Sequence, residues 1–348
     1  MPEPYQPSAL TTSVVGSHAH PGWLDLAVEA SQRGELGPRD IREFQDDAVD
    51  AALRDQEDAG VEVVSEGEMR RVGFFTAEFY SHLTGVEALL PRRRLGPAGH
   101  DQLHKFRVLE PIAAPQGLGV VEEFEYARTR TTKPIKTTIP GPFTLSGRLT
   151  YGSGEVYGDR IAAARAFVPI LAAEFERLAD AGATYIQIDE PSPAVHPEAS
   201  GEFAALFNDA AASVQGRVYL AAHLCFGNMS GRPLSKRVYR PVLEQALAFE
   251  VSEFVLEWAN REMAELDVAA DITAAGRHLS AGVIDVKNYY IETPEDVARR
   301  IELVLEAGVP ESGLTAVPDC GLSQTARWAT KPKLKALVDG RDLVRGSR

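Results

Sequence analysis

The sequence predicts an α/β chain of the (β/α)8 TIM-barrel class, and three observations point there. Short β-branched segments recur eight times along the 348 residues, with helical patterns or loops between them. No Gly-rich dinucleotide pattern follows the first segment, which disfavours an open doubly wound sheet. The length suits one barrel of roughly 250 residues with insertions, so residues 1–348 are expected to form a single domain.

The first strand is expected over residues 13–17. A helix with Ile41, Phe44, Ala48, Val49, Ala52 and Leu53 at helical spacing leads into the second strand, 61–68. The third strand is 136–140, the sequence KTTIP. Between the second and third lies an insertion of about residues 90–130, with Pro91, Pro97, Pro111 and Pro115 followed by an alternating stretch from Val120 to Tyr126. It reads as a loop and hairpin placed over the barrel mouth. Strands at 184–190, 218–225, 253–258, 279–287 and 314–320 complete the set, and the glycine-containing run 147–154 reads as a loop. Before the last strand, a Thr293 cap and Pro294 open a helix carrying Val297, Ile301, Val304 and Leu305 that stops at Gly308. Three helices close with the same punctuation, Asp58-Ala59-Gly60, Asp180-Ala181-Gly182 and Glu306-Ala307-Gly308, as repeated helix-to-strand turns would require.

Composition excludes several functions. With 44% hydrophobic and 25% charged residues the chain is globular, and a net charge of −14 with no basic stripe argues against nucleic acid. The run Arg92, Arg93, Arg94 reads as a solvated loop patch. No apolar stretch reaches membrane length and no signal-peptide pattern opens the chain, so a cytoplasmic location is expected. Two cysteines cannot build a disulfide framework, and in a reducing compartment they are core residues, metal ligands or reactive thiols.

The strand ends are where a barrel assembles its chemistry. His223 and Cys225 end the fifth strand, Glu257 nearly ends the sixth and Cys320 ends the eighth. Side chains at i and i+2 of a strand share a face, so His223 and Cys225 can reach one ion. Two soft thiolates with a nitrogen and an oxygen donor suit Zn2+ better than Mg2+ or Ca2+. Spacing alone leaves two other readings open, plain core packing of the Cys and His side chains and a Cys225–Cys320 disulfide.

Several runs, taken in order, resemble the catalytic C-terminal barrel of the cobalamin-independent methionine synthase family, in its short stand-alone form. They are Val14-Val15-Gly16-Ser17, Gly67-Glu68, Gly141-Pro142-Phe143-Thr144, the run from Ile186 to Pro191, His223-Leu224-Cys225, the run from Gly282 to Val286, and Pro318-Asp319-Cys320-Gly321-Leu322. The resemblance implies a zinc site of His223, Cys225, Glu257 and Cys320, methyl transfer to a homocysteine-like thiol held as a metal-bound thiolate, and contacts to that amino acid from Gly16, Ser17, Glu68 and Asp189. A carboxylate can be held by backbone amides and a hydroxyl, and an ammonium group by two acids. Asp189, His18 and Lys287 are the candidates for catalytic duty.

The chain departs from the family pattern where the donor would bind. Arg148 stands where a folate-stacking Trp is expected, and Lys287 where a His is expected. A guanidinium can also stack on a planar ring, so Arg148 is a candidate donor contact. The alkyl donor is therefore open between a folate, a methylcorrinoid or donor protein, and an epoxide. Epoxide opening by a sulfonate-bearing thiol is one alternative within the resemblance. A metal-dependent amidohydrolase is another, from the pair His18 and His20 just after the first strand.

Overall fold

The structure is a computed structural model that describes residues 2–71, 78–89, 105–195, 202–228 and 232–347. Its strands, in chain order, are β1 (Thr11–Thr12), β2 (Thr84–Leu89), β3 (Lys105–Ala113), β4 (Thr137–Pro140), β5 (Tyr185–Asp189), β6 (Tyr219–Leu224), β7 (Glu253–Leu256), β8 (His278–Ile284) and β9 (Leu314–Pro318). Seven of them form one parallel sheet in the order β1-β9-β8-β7-β6-β5-β4. The ring closes through residues 61–64, because Val63 N donates to Thr12 O at 3.1 Å and Lys136 N donates to Val64 O at 2.8 Å. Parallel bridges Ser13 to Val63 and Val64 to Ile135 mark the same closure, so the sheet is the curled TIM-barrel-like arrangement the sequence predicts.

Around the barrel run α1 (Gly22–Gln32), α2 (Pro38–Ala59), α3 (Val120–Arg128), α4 (Pro142–Ser146), α5 (Arg160–Asp180), α6 (Ser192–Val195), α7 (Phe203–Ala211), α8 (Leu243–Leu247), α9 (Leu266–Ala274), α10 (Pro294–Glu306) and α11 (Arg327–Gly346). Local signals set their ends. Thr293 Oγ1 accepts from Asp296 N at 3.2 Å while the Asp296 carboxylate accepts from Thr293 N at 2.9 Å, a reciprocal cap that contributes about 1 kcal/mol to α10. Gly60, Gly182 and Gly308 all take the left-handed conformation, with φ of 89°, 99° and 103°, which turns each helix back toward its strand. Inside the barrel, Val15, Val63, Tyr185, Tyr219, Ala221, Val255 and Val317 pack together, and Tyr5 stacks on Tyr185 at 5.0 Å between ring centroids. The larger apolar layer lies between the sheet and the helices.

Three expectations need correction. Val120 to Tyr126 is helical, within α3, because Val120, Phe124 and Ala127 face the core at helical spacing while Glu123 turns inward to bond Arg71. The hairpin exists but is built earlier, from β2 and β3, which pair antiparallel. Its β3 docks on the loop after α4, where Phe106 N donates to Arg148 O at 2.8 Å and Thr150 N to Phe106 O at 2.8 Å. The first strand covers Thr11–Thr12 with a bridge at Ser13, and the second is irregular past Val64. There the Gln56 side chain replaces a strand neighbour, accepting from Ser65 N at 3.0 Å and donating to Ser65 O at 2.9 Å. The arginine run at 92–94 lies outside the described residues. Among the described residues, no helix is long and apolar enough to cross a membrane.

Candidate metal centre and adjoining pocket

Register along the parallel sheet places the reactive side chains at one end of the barrel. His223 is paired with Asp189 across β5 and β6, and Cys225 follows β6 directly. His223 Nδ1 lies 3.0 Å from Val255 O. A carbonyl only accepts, so Nδ1 carries a proton and Nε2 is turned toward the two cysteines, the orientation a ligating imidazole needs. Cys320 Sγ lies 3.9 Å from that Nε2 and 3.8 Å from Cys225 Sγ. The three donor atoms fall within 4.8 Å of one another.

These separations test the fit of an ion. Tetrahedral zinc with Zn–S near 2.3 Å and Zn–N near 2.05 Å puts two sulfurs about 3.8 Å apart and a sulfur and nitrogen about 3.6 Å apart. A disulfide needs about 2.05 Å between sulfurs, and both cysteines are free. Their mutual hydrogen bond holds Cys320 well below the ordinary thiol pKa, with His223 and Lys287 adding to the effect against burial, and pushes Cys225 up. Glu257 stands just past β7 and is fully buried. It is outside the three-residue group: its Oε2 pairs with Lys287 Nζ, while Oε1 has no hydrogen-bond partner among the described residues.

The cluster opens into a cavity of about 220 Å3 lined by Ser17, Glu68, Arg148, Arg160, Asp189, His223, Cys225 and Cys320, among others. Asp189 ends β5, where Gln187 Nε2 donates to its Oδ1 at 2.7 Å and burial pushes its carboxyl up to about 7. Glu68 adopts a left-handed φ of 57°, uncommon for a residue with a Cβ, and such strain is concentrated at functional sites. Its Oε1 accepts from Thr138 Oγ1 at 2.7 Å and lies 3.5 Å from Arg71. Gly16 lies beneath it at φ 149°, a conformation that L side chains rarely adopt, and a Cβ there would also displace that oxygen. Ser17 is admitted because Gly321 has no side chain; a Cβ at Gly321 would fall 2.0 Å from Ser17 Oγ.

Other expected residues lie elsewhere. His18 does not line the cavity: its Nε2 faces Asp55 on α2 at 3.2 Å, and burial lowers its pKa. His20 Nδ1 faces Asp25 at 3.7 Å. The pair therefore stands apart from His223, and the amidohydrolase reading draws no support. Lys287 touches the site through Glu257. Arg148 lines the cavity with its guanidinium 6.0 Å from the Tyr80 ring centroid, and burial lowers its pKa to about 10.

Arg71, Thr138, Gln187 and Arg160 were not singled out from the sequence. Arg71 follows Glu68 by three residues and lies within 4 Å of Glu66, Glu68 and Glu123. Gln187, a polar residue flanked on both sides by isoleucines, was the visible signal that a buried strand carries work beyond packing.

The chain is similar over nearly its whole length to known proteins. The model of the cobalamin-independent synthase catalytic domain matches residues 10–341. The methionine synthase of Thermococcus kodakarensis is 33% identical over 97% of this chain and 94% of its own length. That of Sulfurisphaera tokodaii is 30% identical over 97% of this chain and 93% of its own. The structure of a B12-independent methionine synthase from Shewanella sp. W3-18-1 in complex with selenomethionine superposes with a TM-score of 0.80 at 26% identity, covering 98% of this chain and 99% of that one.

Proposed function

This chain belongs to the cobalamin-independent methionine synthase family, a family of methyltransferases, and from that premise we propose that it methylates homocysteine at a zinc site formed by His223, Cys225, Cys320 and Glu257. The observation that supports this most is the convergence of His223 Nε2 and two sulfurs within 4.8 Å at the wall of a cavity that also exposes Glu68 and Asp189. Glu257 Oε1, buried without a partner, is the fourth donor. A zinc ion held by these residues would lower the pKa of a bound thiol, so that its proton would be lost to solvent near neutral pH.

The remaining work falls to the chain itself. Glu68 and Asp189 hold the substrate ammonium, and Ser17 with the backbone after Gly16 holds its carboxylate, which leaves the sulfur pointing at the three donor atoms. The Shewanella enzyme was solved in complex with selenomethionine, the selenium analogue of methionine, which supports an amino acid of this kind as the ligand. In the transfer, the sulfur lone pair forms the new S–CH3 bond and the electrons of the old bond stay with the donor. Arg148, beside Arg160, Thr144 and Ser192 on the same cavity, is the donor contact. A corrinoid partner draws no support from a family defined by independence of B12, and epoxide opening draws none from relatives that are methionine synthases. A cytoplasmic location completes the reading.

The test is elemental analysis together with cobalt substitution. Stoichiometric zinc, a change in thiolate charge-transfer absorption on adding homocysteine, and methionine formation with a methyl donor are expected. A protein that folds but holds no zinc, or whose cobalt spectrum ignores homocysteine, refutes it.

A further inference from the structure

Asp319 is fully buried, precedes Cys320, and spends its whole carboxylate on the segment that follows a strand not its neighbour. Oδ1 accepts from Trp258 N and Ala259 N, both at 2.8 Å, and Oδ2 accepts from Asn260 N at 2.6 Å and Asn260 Nδ2 at 2.7 Å. Those donors follow β7, whereas Asp319 follows β9, and β8 lies between the two. The side chain crosses β8 at Gly282. A Cβ there would stand 2.3 Å from Asp319 Oδ1, 2.8 Å from Asp319 Cα and 3.0 Å from Leu256 O, so the glycine is needed for room. The β8–β9 register shifts between Gly282 and Ile284, and Asp319 N donates to Ile284 O at 2.9 Å. A bulge of this kind re-aims the residues beside it.

We propose that Asp319 is a positioning residue that fixes the end of β9 to the end of β7, thereby setting Cys320 against Glu257 and fixing the affinity of the site for its metal ion. The tether spans one residue on each side: Cys320 follows Asp319, and Glu257 precedes Trp258. His223 is oriented independently, by Val255 O. A carboxylate has about four acceptor positions and no donor, and four N–H groups fill them, so Asp319 is unavailable as a ligand and irreplaceable by an amide. Asparagine would turn an N–H group toward N–H groups. Partners that orient metal ligands typically change affinity by about 10–100-fold when removed.

The inference rests on the zinc reading above, and the experiment separates the two. Zinc affinity is measured by chelator competition on the full chain for wild type, Asp319→Asn, Gly282→Ala and Asn260→Ala, with thermal melting of each metal-free protein. Asp319→Asn and Gly282→Ala are expected to bind zinc about 10–100-fold more weakly, with an altered cobalt spectrum. Asn260→Ala, which deletes one of the four hydrogen bonds, is expected to fall less. If Asp319→Asn folds and binds zinc as wild type does, the proposal is overturned, and lowered melting with unchanged affinity overturns it equally. If Asp319→Asn does not fold, Asn260→Ala decides, and unchanged zinc affinity there overturns it. Wild type that binds no zinc overturns the metal reading beneath.

Discussion

Replacing Glu68 by Gln removes one negative charge from the ammonium side of the cavity while keeping the shape of the side chain. What that charge contributes follows from its neighbours. Arg71 stands 3.5 Å from Glu68, 3.7 Å from Glu66 and 2.6 Å from Glu123. Burial pushes Glu66 up to about 8, so near pH 7 it is mostly protonated, and Glu123 answers Arg71 with three hydrogen bonds. Burial raises the Glu68 carboxyl too, with Arg71 at 3.5 Å opposing that rise, and a substrate cation beside it would favour its charged form further. A hydrogen bond to a charged group contributes about 1.5–3 kcal/mol and a neutral one about 0.5–1.5, so the exchange costs about 1–2 kcal/mol, or roughly 5- to 30-fold in KM for homocysteine. The amide oxygen of Gln can still accept from Thr138 Oγ1, so the local fold is kept. Steady-state kinetics at pH 7 should show that rise in KM with kcat changed by about twofold or less, as expected when uniform binding is lost. Zinc content should not change. An unaltered KM would refute the ammonium assignment, and a fall in kcat at constant KM would move Glu68 into the chemistry.

Cys320→Ser should lose most of its zinc, a larger effect than the roughly 10–100-fold of an orienting partner; elemental analysis showing full zinc occupancy would remove Cys320 from the ligand set. Glu190 is buried, and desolvation raises its carboxyl to about 7 while Thr144 and Phe143 N hold it. A raised carboxyl means that the folded state binds more protons than the unfolded one, so wild type loses stability as pH climbs from about 4.5 to about 7. Urea titrations of Glu190→Gln across that window should give a flatter profile, and an identical slope would show that Glu190 is not the group responsible. Asp55 is buried, yet hydrogen bonds from His18, Arg327 and Lys331 hold its carboxyl well below the usual range. Its contribution is therefore present at neutral pH and lost as pH falls below the ordinary carboxylate value. Asp55→Asn should lower stability at pH 7 by about 1–3 kcal/mol, with the difference shrinking in acid; equal melting temperatures at pH 7 would contradict this.

Much of the site could be read before the fold was known, because its elements are local. His223 and Cys225 announce a shared face by their spacing of two, and Cys320, two residues past the last strand, brings the other thiol of the chain. Glu257 was legible as a strand-end acid, yet its pairing with Lys287 was not, since that contact joins the ends of β7 and β8. His18 looked like a mouth residue because it follows Ser17. Whether it faces the cavity or α2 depends on Asp55, 37 residues later.

By itself, the sequence determined the periodicities, the left-handed glycines and the order of the barrel strands, since these depend on backbone sterics and side-chain alternation within a few residues. Tertiary structure decided the rest. Glu123 turned an apparent alternation into α3 by bonding Arg71, and Gln56 ended the second strand by taking the place of a neighbour at Ser65. It also decided that Gly282 clears a path for Asp319 between strands two places apart. Each of these is a buried polar group that must find its partner across the barrel, and the free energy of that choice exceeds any local preference.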